Sequence, residues 1–128
     1  MNIFGIGTDI VNVDRVKNSL KNKDFIKRIF NKKEIQKCKK INHSNNCYAK
    51  RFAAKEAFSK ATGFGISENL HFKNIEIKSN KRGKPSINLN KSTVLFLKKK
   101  FGVKSFKTNL SLSDEKNYSI AYVIIEKK

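Results

Sequence analysis

One segment constrains the fold of this chain more than any other, because it is both alanine-rich and charged. It reads RFAAKEAFSK over residues 51–60 and continues into Ala61. On a helix, where successive residues are about 100° apart, one arc carries Phe58 at its edge and the small residues Ala53, Ala54, Ala57 and Ala61. Small side chains let the helix backbone approach a neighbouring element closely. We therefore expect a tightly packed helix with a rigid charged face formed by Arg51, Lys55, Glu56, Ser59 and Lys60.

Glu56 on this face has two interpretations. Glu56 and Lys60 have the i,i+4 spacing of a salt bridge that stabilises many exposed helices. The alternative is a site that Glu56 shares with a second carboxylate. Asp9 lies within the apolar residues 3–11, which predict a buried strand. A buried acid is costly unless it meets a cation, a metal ion or hydrogen-bond donors.

If Asp9 and Glu56 converge, they form a pair of hard oxygen ligands. Such a pair suits Mg²⁺, which keeps several waters and completes its coordination with substrate phosphates. Lys60, one helical turn beyond Glu56, would then neutralise phosphate charge, and Arg51 and Lys55 would hold further anionic groups. This combination indicates phosphoryl transfer, in which a protein contributes mainly positioning and charge stabilisation.

The order of the predicted elements indicates an α+β fold. A capping box of Asn31 and Glu34 begins one of three short helices, and Gly63 ends the long helix that follows them. The other predicted elements are strands at residues 72–79 and 86–89, a helix ending near residue 102, and strands at residues 106–113 and 118–126. We predict one domain over residues 1–128, with helices packed on a mostly antiparallel sheet.

Composition limits the classes of function. The net charge of +19, from 29 Lys and Arg against 10 Asp and Glu, favours polyanionic partners. It leaves a small basic RNA-binding protein as the alternative function, although lysine is a poorer reader of bases than arginine. No apolar run approaches the roughly 18 residues of a membrane span. The N-terminus also lacks a cleavable signal pattern, so we expect a cytoplasmic protein without a membrane partner. Because phosphoryl transfer is the leading interpretation, we expect an enzyme without a nucleic-acid partner.

The two cysteines carry no recognisable metal or disulfide signature. Cys38 and Cys47 have no zinc-ligand spacing with His43 or His71. We therefore predict that both thiols are reduced and structural.

Two segments strongly resemble the signatures of the bacterial holo-(acyl-carrier-protein) synthases, a family of 4′-phosphopantetheinyl transferases. They are GIGTDIV at residues 5–11, continuing to Arg15, and RFAAKEAFSKA at residues 51–61. The resemblance extends over nearly the whole chain through Gly65-Ile66, Gly83-Lys84-Pro85 and LSLS at residues 110–113. It implies a magnesium-dependent transfer of 4′-phosphopantetheine from coenzyme A to a serine of apo-acyl carrier protein, in fatty acid biosynthesis, with release of adenosine 3′,5′-bisphosphate. It also implies a homotrimer that binds coenzyme A between neighbouring subunits.

The resemblance assigns roles by position. Asp9 and Glu56 match the magnesium ligands, and Lys60 matches a lysine at the diphosphate; these three form the expected catalytic set. The positions matching segments that line the nucleotide are Arg51, Gly63, Gly65, Ile66, Gly83, Lys84 and Pro85, with Lys84 and Pro85 supplied by the adjacent subunit. The charged helix face adds Lys55 to the expected coenzyme A contacts. No residue is identified as the base that accepts the serine proton.

A basic surface after the first strand is the candidate for carrier binding. It comprises Arg15, Lys21, Phe25 and Arg28. Carrier proteins modified by this family are acidic around the modified serine, so a basic helix with one exposed aromatic residue would attract and anchor them. The alternative is that Phe25 belongs to the core together with Ile29. The chain departs from a common family pattern at Asp114, where many relatives have His, and we interpret Asp114 as a turn residue.

Overall fold

A computed structural model describes residues 2–67 and 69–128 of the chain. The elements in chain order are β1 (Asn2–Asn12), α1 (Val13–Ser19), α2 (Lys23–Ile29), α3 (Lys32–Lys39), α4 (Ser44–Thr62), β2 (Ile75–Ser79), β3 (Pro85–Leu89), α5 (Lys91–Phe101), β4 (Phe106–Asp114) and β5 (Tyr118–Lys127). All pairings between these strands are antiparallel. The predicted α+β fold class is confirmed.

Strand β5 forms the centre of a three-stranded sheet with the order β1-β5-β4. In its pairing with β1, Ala121 lies opposite Asp9 and Val123 lies opposite Gly7. Ala121 and Val123 are fully buried. Because paired residues share a face of the sheet, Gly7 and Asp9 lie on its core side. Strands β2 and β3 form a separate two-stranded sheet.

Helix α4 packs on the core side of the larger sheet and is buried on almost all sides. Its alanine arc and Phe58 belong to the main core, as predicted. The opposite arc is also covered, because α1, α2 and α3 pack a second apolar cluster against the first half of α4. Arg51, Lys55 and Ser59 are consequently buried, and only Glu56 and Lys60 of the predicted charged face reach solvent.

Local sequence signals determine several helix ends. The capping box of Asn31 and Glu34 is present at the start of α3, and Gly63 ends α4 with a φ of 81°. Two boundaries differ from the sequence pattern. The polar residues 42–46 predict a loop, but helix α4 begins within them at Ser44. Residues 72–74 of the predicted strand form a short 3-10 helix, Phe72–Asn74, before β2. In the described part of the chain, no helix has the length and apolar character needed to cross a membrane.

A disulfide joins Cys38 on α3 to Cys47 on α4, which contradicts the prediction of two reduced thiols. The chain reverses between these helices, so that the two Cα atoms lie 5.4 Å apart although nine positions separate the residues. Both residues are buried. Sequence spacing alone did not reveal this proximity, which depends on how the two helices pack.

Candidate active site

The candidate site is built where β1 packs against α4. A Cβ atom on Gly5 would collide with the carbonyl oxygen of Ala61, and one on Gly7 would collide with that of Ala57. The glycines of the strand and the alanines of the helix therefore allow the two backbones to approach closely. This approach brings Asp9, two residues after Gly7, beside the last turns of α4.

Lys60 on α4 connects the helix to the strand. Its Nζ atom donates to Asp9 Oδ1 and to the carbonyl oxygen of Thr8, both at 3.1 Å. The Asp9 side chain is 16% exposed and that of Lys60 is 55% exposed. The ion pair of Lys60 thus crosses between two elements and does not follow the i,i+4 alternative with Glu56.

Glu56 lies within electrostatic reach of both partners. Burial raises the pKa of the Glu56 carboxyl, the charge of Asp9 raises this pKa further, and the charge of Lys60 lowers it. The net effect is a raised pKa of Glu56, and burial is its largest cause. The predicted convergence of Asp9 and Glu56 agrees with this coupling.

The donor set fits Mg²⁺ in both type and number. Nowhere in residues 2–67 and 69–128 do three or more His, Cys, Asp or Glu gather into a cluster that could hold a metal by themselves. Mg²⁺ needs only one or two carboxylates, because waters and phosphate oxygens complete its octahedron. Asp9 and Glu56 supply such a pair at the protein surface, where an anionic co-substrate could supply the remaining oxygens.

Arg51 lies about one and a half helical turns before Glu56 and is only 5% exposed. Its Nη1 atom donates to the carbonyl oxygen of Cys47 at 3.3 Å and to Cys47 Sγ at 3.1 Å. Its buried Nε has no hydrogen-bond partner within the described part of the chain. Burial lowers the pKa of Arg51, and the charge of Glu34 opposes this effect.

A cavity of about 170 Å³ brings Arg51 together with Gly83 and Pro85. All three were predicted to contact the nucleotide. Pro85 lines this cavity within its own chain, and its approach to an adjacent subunit stays a prediction. An anionic ligand in the cavity would meet the positive charge of the Arg51 guanidinium.

Lys55 does not take the predicted role of a coenzyme A contact. It is fully buried, and its Nζ donates to Glu34 Oε1 at 2.7 Å, to the carbonyl oxygen of Ile29 at 2.8 Å and to that of Phe72 at 2.9 Å. Burial lowers the pKa of Lys55, and the charge and hydrogen bond of Glu34 oppose this effect. All three ammonium donors are used inside the core, so none is available to a ligand.

The remaining predicted coenzyme A contacts lie in two places. Gly63, Gly65 and Ile66 follow the end of α4, where the two glycines have φ values of 81° and 69°. They begin 12 residues beyond Arg51, which corresponds to about 18 Å along a helix axis. Lys84 is exposed between Gly83 and Pro85, in the turn that joins β2 to β3. The structure therefore does not gather these residues around a single cavity of one chain.

The predicted carrier surface is only partly open. Arg15, Lys21 and Arg28 are exposed. Phe25 is half-buried, and its ring centroid lies 5.9 Å from that of Phe52. Phe25 and Phe52 nevertheless line a surface groove of about 180 Å³ together with Arg15. The core alternative is correct for Ile29, which is buried, whereas Phe25 contributes to both the packing and the groove.

Sequence reasoning missed two sets of contacts. Glu34 was recognised only as a helix cap, although it is also the buried partner of Lys55. Asp114 was interpreted as a turn residue, but it is the last residue of β4, and its Oδ2 accepts a hydrogen bond from Asn46 Nδ2 at 3.3 Å. Lys50 Nζ lies 3.9 Å from the same oxygen. Asp114 thus connects the hairpin to the first turns of α4.

Comparisons with known proteins agree with the observed fold. A family model described as the 4′-phosphopantetheinyl transferase superfamily matches residues 5–123. The chain is 53% identical, over the full length of both sequences, to a holo-(acyl-carrier-protein) synthase of Pelagibacter ubique. The crystal structure of holo-(acyl-carrier-protein) synthase from Neisseria meningitidis is similar with a TM-score of 0.88 and 38% identity, covering 98% of this chain and 99% of that one. A holo-(acyl-carrier-protein) synthase from Bacillus anthracis in complex with CoA (3′,5′-ADP) is similar with a TM-score of 0.82 and 32% identity over the full length of both chains.

Proposed function

The chain belongs to the 4′-phosphopantetheinyl transferase superfamily, and from this membership we propose that it transfers 4′-phosphopantetheine from coenzyme A to a serine of an apo-acyl carrier protein. The reaction releases adenosine 3′,5′-bisphosphate and serves fatty acid biosynthesis. Mg²⁺ is the proposed cofactor. The proposal includes one catalytic domain over residues 1–128 and a cytoplasmic location, without a nucleic-acid or membrane partner.

The observation that carries this proposal is the coupling of Asp9, Glu56 and Lys60 at one point on the surface. Lys60 contacts Asp9 directly, and the charges of both residues act on Glu56. Two carboxylates and one ammonium provide what a phosphoryl transfer requires from a protein: a place for a divalent cation and a positive charge for phosphate oxygens. A structural salt bridge would need only one of the two acids.

The proposed chemistry is a displacement at phosphorus. The serine oxygen of the carrier attacks the phosphorus that carries the pantetheine arm, the bond from this phosphorus to the bridging oxygen breaks, and the serine proton is lost. When bound, Mg²⁺ would neutralise part of the negative charge of the diphosphate. Asp9 and Glu56 would hold it, and Lys60 would stabilise the negative charge that develops on the departing nucleotide phosphate.

The nucleotide half of coenzyme A has a proposed location at the cavity of Arg51, Gly83 and Pro85. The Arg51 guanidinium, which lines this cavity, would supply positive charge to the nucleotide. Gly63, Gly65, Ile66 and Lys84 remain proposed contacts. Their separation from this cavity within one chain agrees with a coenzyme A molecule that touches more than one subunit.

The carrier is proposed to dock on the surface of α1 and α2. Arg15, Lys21 and Arg28 present positive charge there, and the groove beside Phe25 offers an apolar anchor point. Charge of this kind attracts an acidic partner at long range, and the apolar contact holds it after docking.

We also propose that the active assembly is a homotrimer. The outer face of the larger sheet exposes large apolar side chains on β1 and β5: Ile6, Ile10, Tyr118, Ile120 and Tyr122. A contiguous apolar face of this kind is typical of a protein interface. Sedimentation or light scattering should give three times the 14.7 kDa mass of the chain. A monomer at micromolar concentration would contradict this part of the proposal.

The whole proposal is tested by incubating the protein with coenzyme A, Mg²⁺ and an apo-acyl carrier protein. Mass spectrometry should show one phosphopantetheine group on the carrier serine. At limiting Mg²⁺ the Glu56→Gln variant should be far slower than the unaltered protein, whereas Glu115→Gln, which removes an exposed acid from the β4–β5 turn, should match it. Absence of the adduct together with tight RNA binding at physiological salt would favour the alternative function instead.

A further inference from the structure

Lys60 has an arrangement of contacts that goes beyond a role as a phosphate-binding residue. Its ammonium already uses two of its three donors on β1, one on Asp9 and one on the carbonyl oxygen of Thr8. Both acceptors belong to β1, which pairs with β5 at these positions, and the hydroxyl of Thr8 also donates to the carbonyl oxygen of Ala121 across the sheet at 3.0 Å. Asp9 is therefore engaged by a cation that belongs to the protein.

The two members of this pair differ in their freedom to move. Asp9 is on a paired strand and is mostly covered, whereas more than half of the Lys60 side chain is exposed. A lysine side chain has a flexible four-carbon stem, so its ammonium can leave Asp9 without disturbing the backbone. A divalent cation that binds Asp9 meets this ammonium at the same carboxylate, where the two positive charges repel each other.

We propose that Lys60 is an internal counter-cation that a divalent ion displaces from Asp9, and that this exchange sets the affinity of the metal site and delivers the ammonium to the anionic co-substrate. This inference rests on the proposed function, because it concerns the same carboxylates. Two consequences follow from competition. Removing the ammonium should strengthen metal binding, although Lys60 contributes to the reaction. The metal should also strengthen binding of coenzyme A, because it releases a positive charge for the diphosphate.

The size of the effect follows from the exposure of the pair. A fully exposed ion pair is weak because water screens it. In this pair only the Lys60 side chain is largely exposed, whereas Asp9 is mostly covered. We expect the loss of Lys60 to tighten divalent-ion binding about three- to ten-fold.

The test uses Mn²⁺ as the probe, with free Mn²⁺ followed by electron paramagnetic resonance during titration of the full chain. Lys60→Met should bind Mn²⁺ about three- to ten-fold more tightly than the unaltered protein. Lys60→Arg keeps the positive charge and should remain close to the unaltered protein. Lys100→Met is the matched control, because it removes one exposed ammonium from α5, far along the chain from the site, and changes net charge equally. It should not alter Mn²⁺ affinity.

A second measurement follows the delivery of the ammonium. Calorimetry should show that Mn²⁺ increases the affinity of the unaltered protein for coenzyme A, and that this increase is smaller in Lys60→Met. Unchanged or weaker Mn²⁺ binding by Lys60→Met would overturn the inference while leaving the proposed function in place. If neither protein bound Mn²⁺, the inference and the metal part of the proposed function would both fail. Formation of the carrier adduct reports on the transferase activity separately.

Discussion

Breaking the buried pair of Glu34 and Lys55 by removing one partner should be among the most destabilising single changes in this protein. The Lys55 ammonium has no exposed surface, and the Glu34 side chain is 1% exposed. Glu34 accepts hydrogen bonds from the backbone N–H groups of Asn31 and Ile77 as well as from Lys55. The pair therefore connects α3, α4 and β2 and satisfies backbone groups that water cannot reach.

Removing one partner should cost far more than removing both. Lys55→Met leaves a buried carboxylate without its cation, which costs about 3–5 kcal/mol. Glu34→Gln leaves the Lys55 ammonium buried without its counter-charge. It also replaces one carboxylate oxygen by an amide NH₂ group, although the groups around it are all hydrogen-bond donors. A similar cost of about 3–5 kcal/mol is expected. The double variant removes both charges of this pair. Its loss of unfolding free energy should therefore be smaller than the sum of the two single losses by at least about 2 kcal/mol.

Urea denaturation followed by far-UV circular dichroism measures these free energies of unfolding. Lys78→Met is the control, because Lys78 is 47% exposed and lies 4.0 Å from Glu76; its loss should cost less than about 1 kcal/mol. A loss of under about 1 kcal/mol for Lys55→Met, or strictly additive effects in the double variant, would refute the reasoning, since either result means that water reaches the pair.

Three further outcomes are expected. Gly7→Ala should lower the free energy of unfolding by about 1–3 kcal/mol or more, because a new Cβ would meet the backbone of Ala57; a neutral effect in denaturation would show that β1 and α4 separate easily. Reducing the disulfide of Cys38 and Cys47 should lower the stability by up to about 3 kcal/mol, since it opens a loop of about ten residues; two titratable thiols in the untreated protein and no shift with reductant would restore the prediction of reduced thiols. When a chelator removes divalent ions, Glu56→Gln should raise the free energy of unfolding at pH 7 by less than about 1 kcal/mol. The reason is that folding raises the pKa of Glu56 and so disfavours its charged form. The folded protein binds the Glu56 proton more readily than the unfolded chain, so this advantage should shrink as pH falls through the raised pKa; a difference that grows with acidification would contradict the assignment.

The close contact between β1 and α4 was predictable because it depends on side-chain size. Alanines on one helical arc predict the close approach of a neighbouring element, and the structure places the glycines of β1 against them. Asp9 could be recognised for a different reason, because a buried acid in an apolar strand needs a partner. The helix caps were also predictable, because the capping box of Asn31 and Glu34 is a local interaction.

The burial of Lys55 was not predictable from the same pattern. A helical wheel shows which residues share a face, but it does not show how many faces of a helix are covered. α1, α2 and α3 close over the side of α4 that carries Lys55, and this packing depends on residues far away in the chain. The disulfide between α3 and α4 and the contact between Asn46 and Asp114 were missed for the same physical reason.

The two lysines of α4 show how one helix can serve both stability and chemistry. Lys55 has all three donors satisfied in the core and fixes α4 against its neighbours, whereas Lys60 keeps its ammonium at the surface beside Asp9. Placing Asp9 next to Glu56 is unfavourable for folding, because like charges repel in a partly dry site. The glycines and alanines that pack β1 on α4 lose little or no side-chain entropy on burial. The packing energy of this close contact can therefore offset the repulsion between the two acids, which a cation site requires.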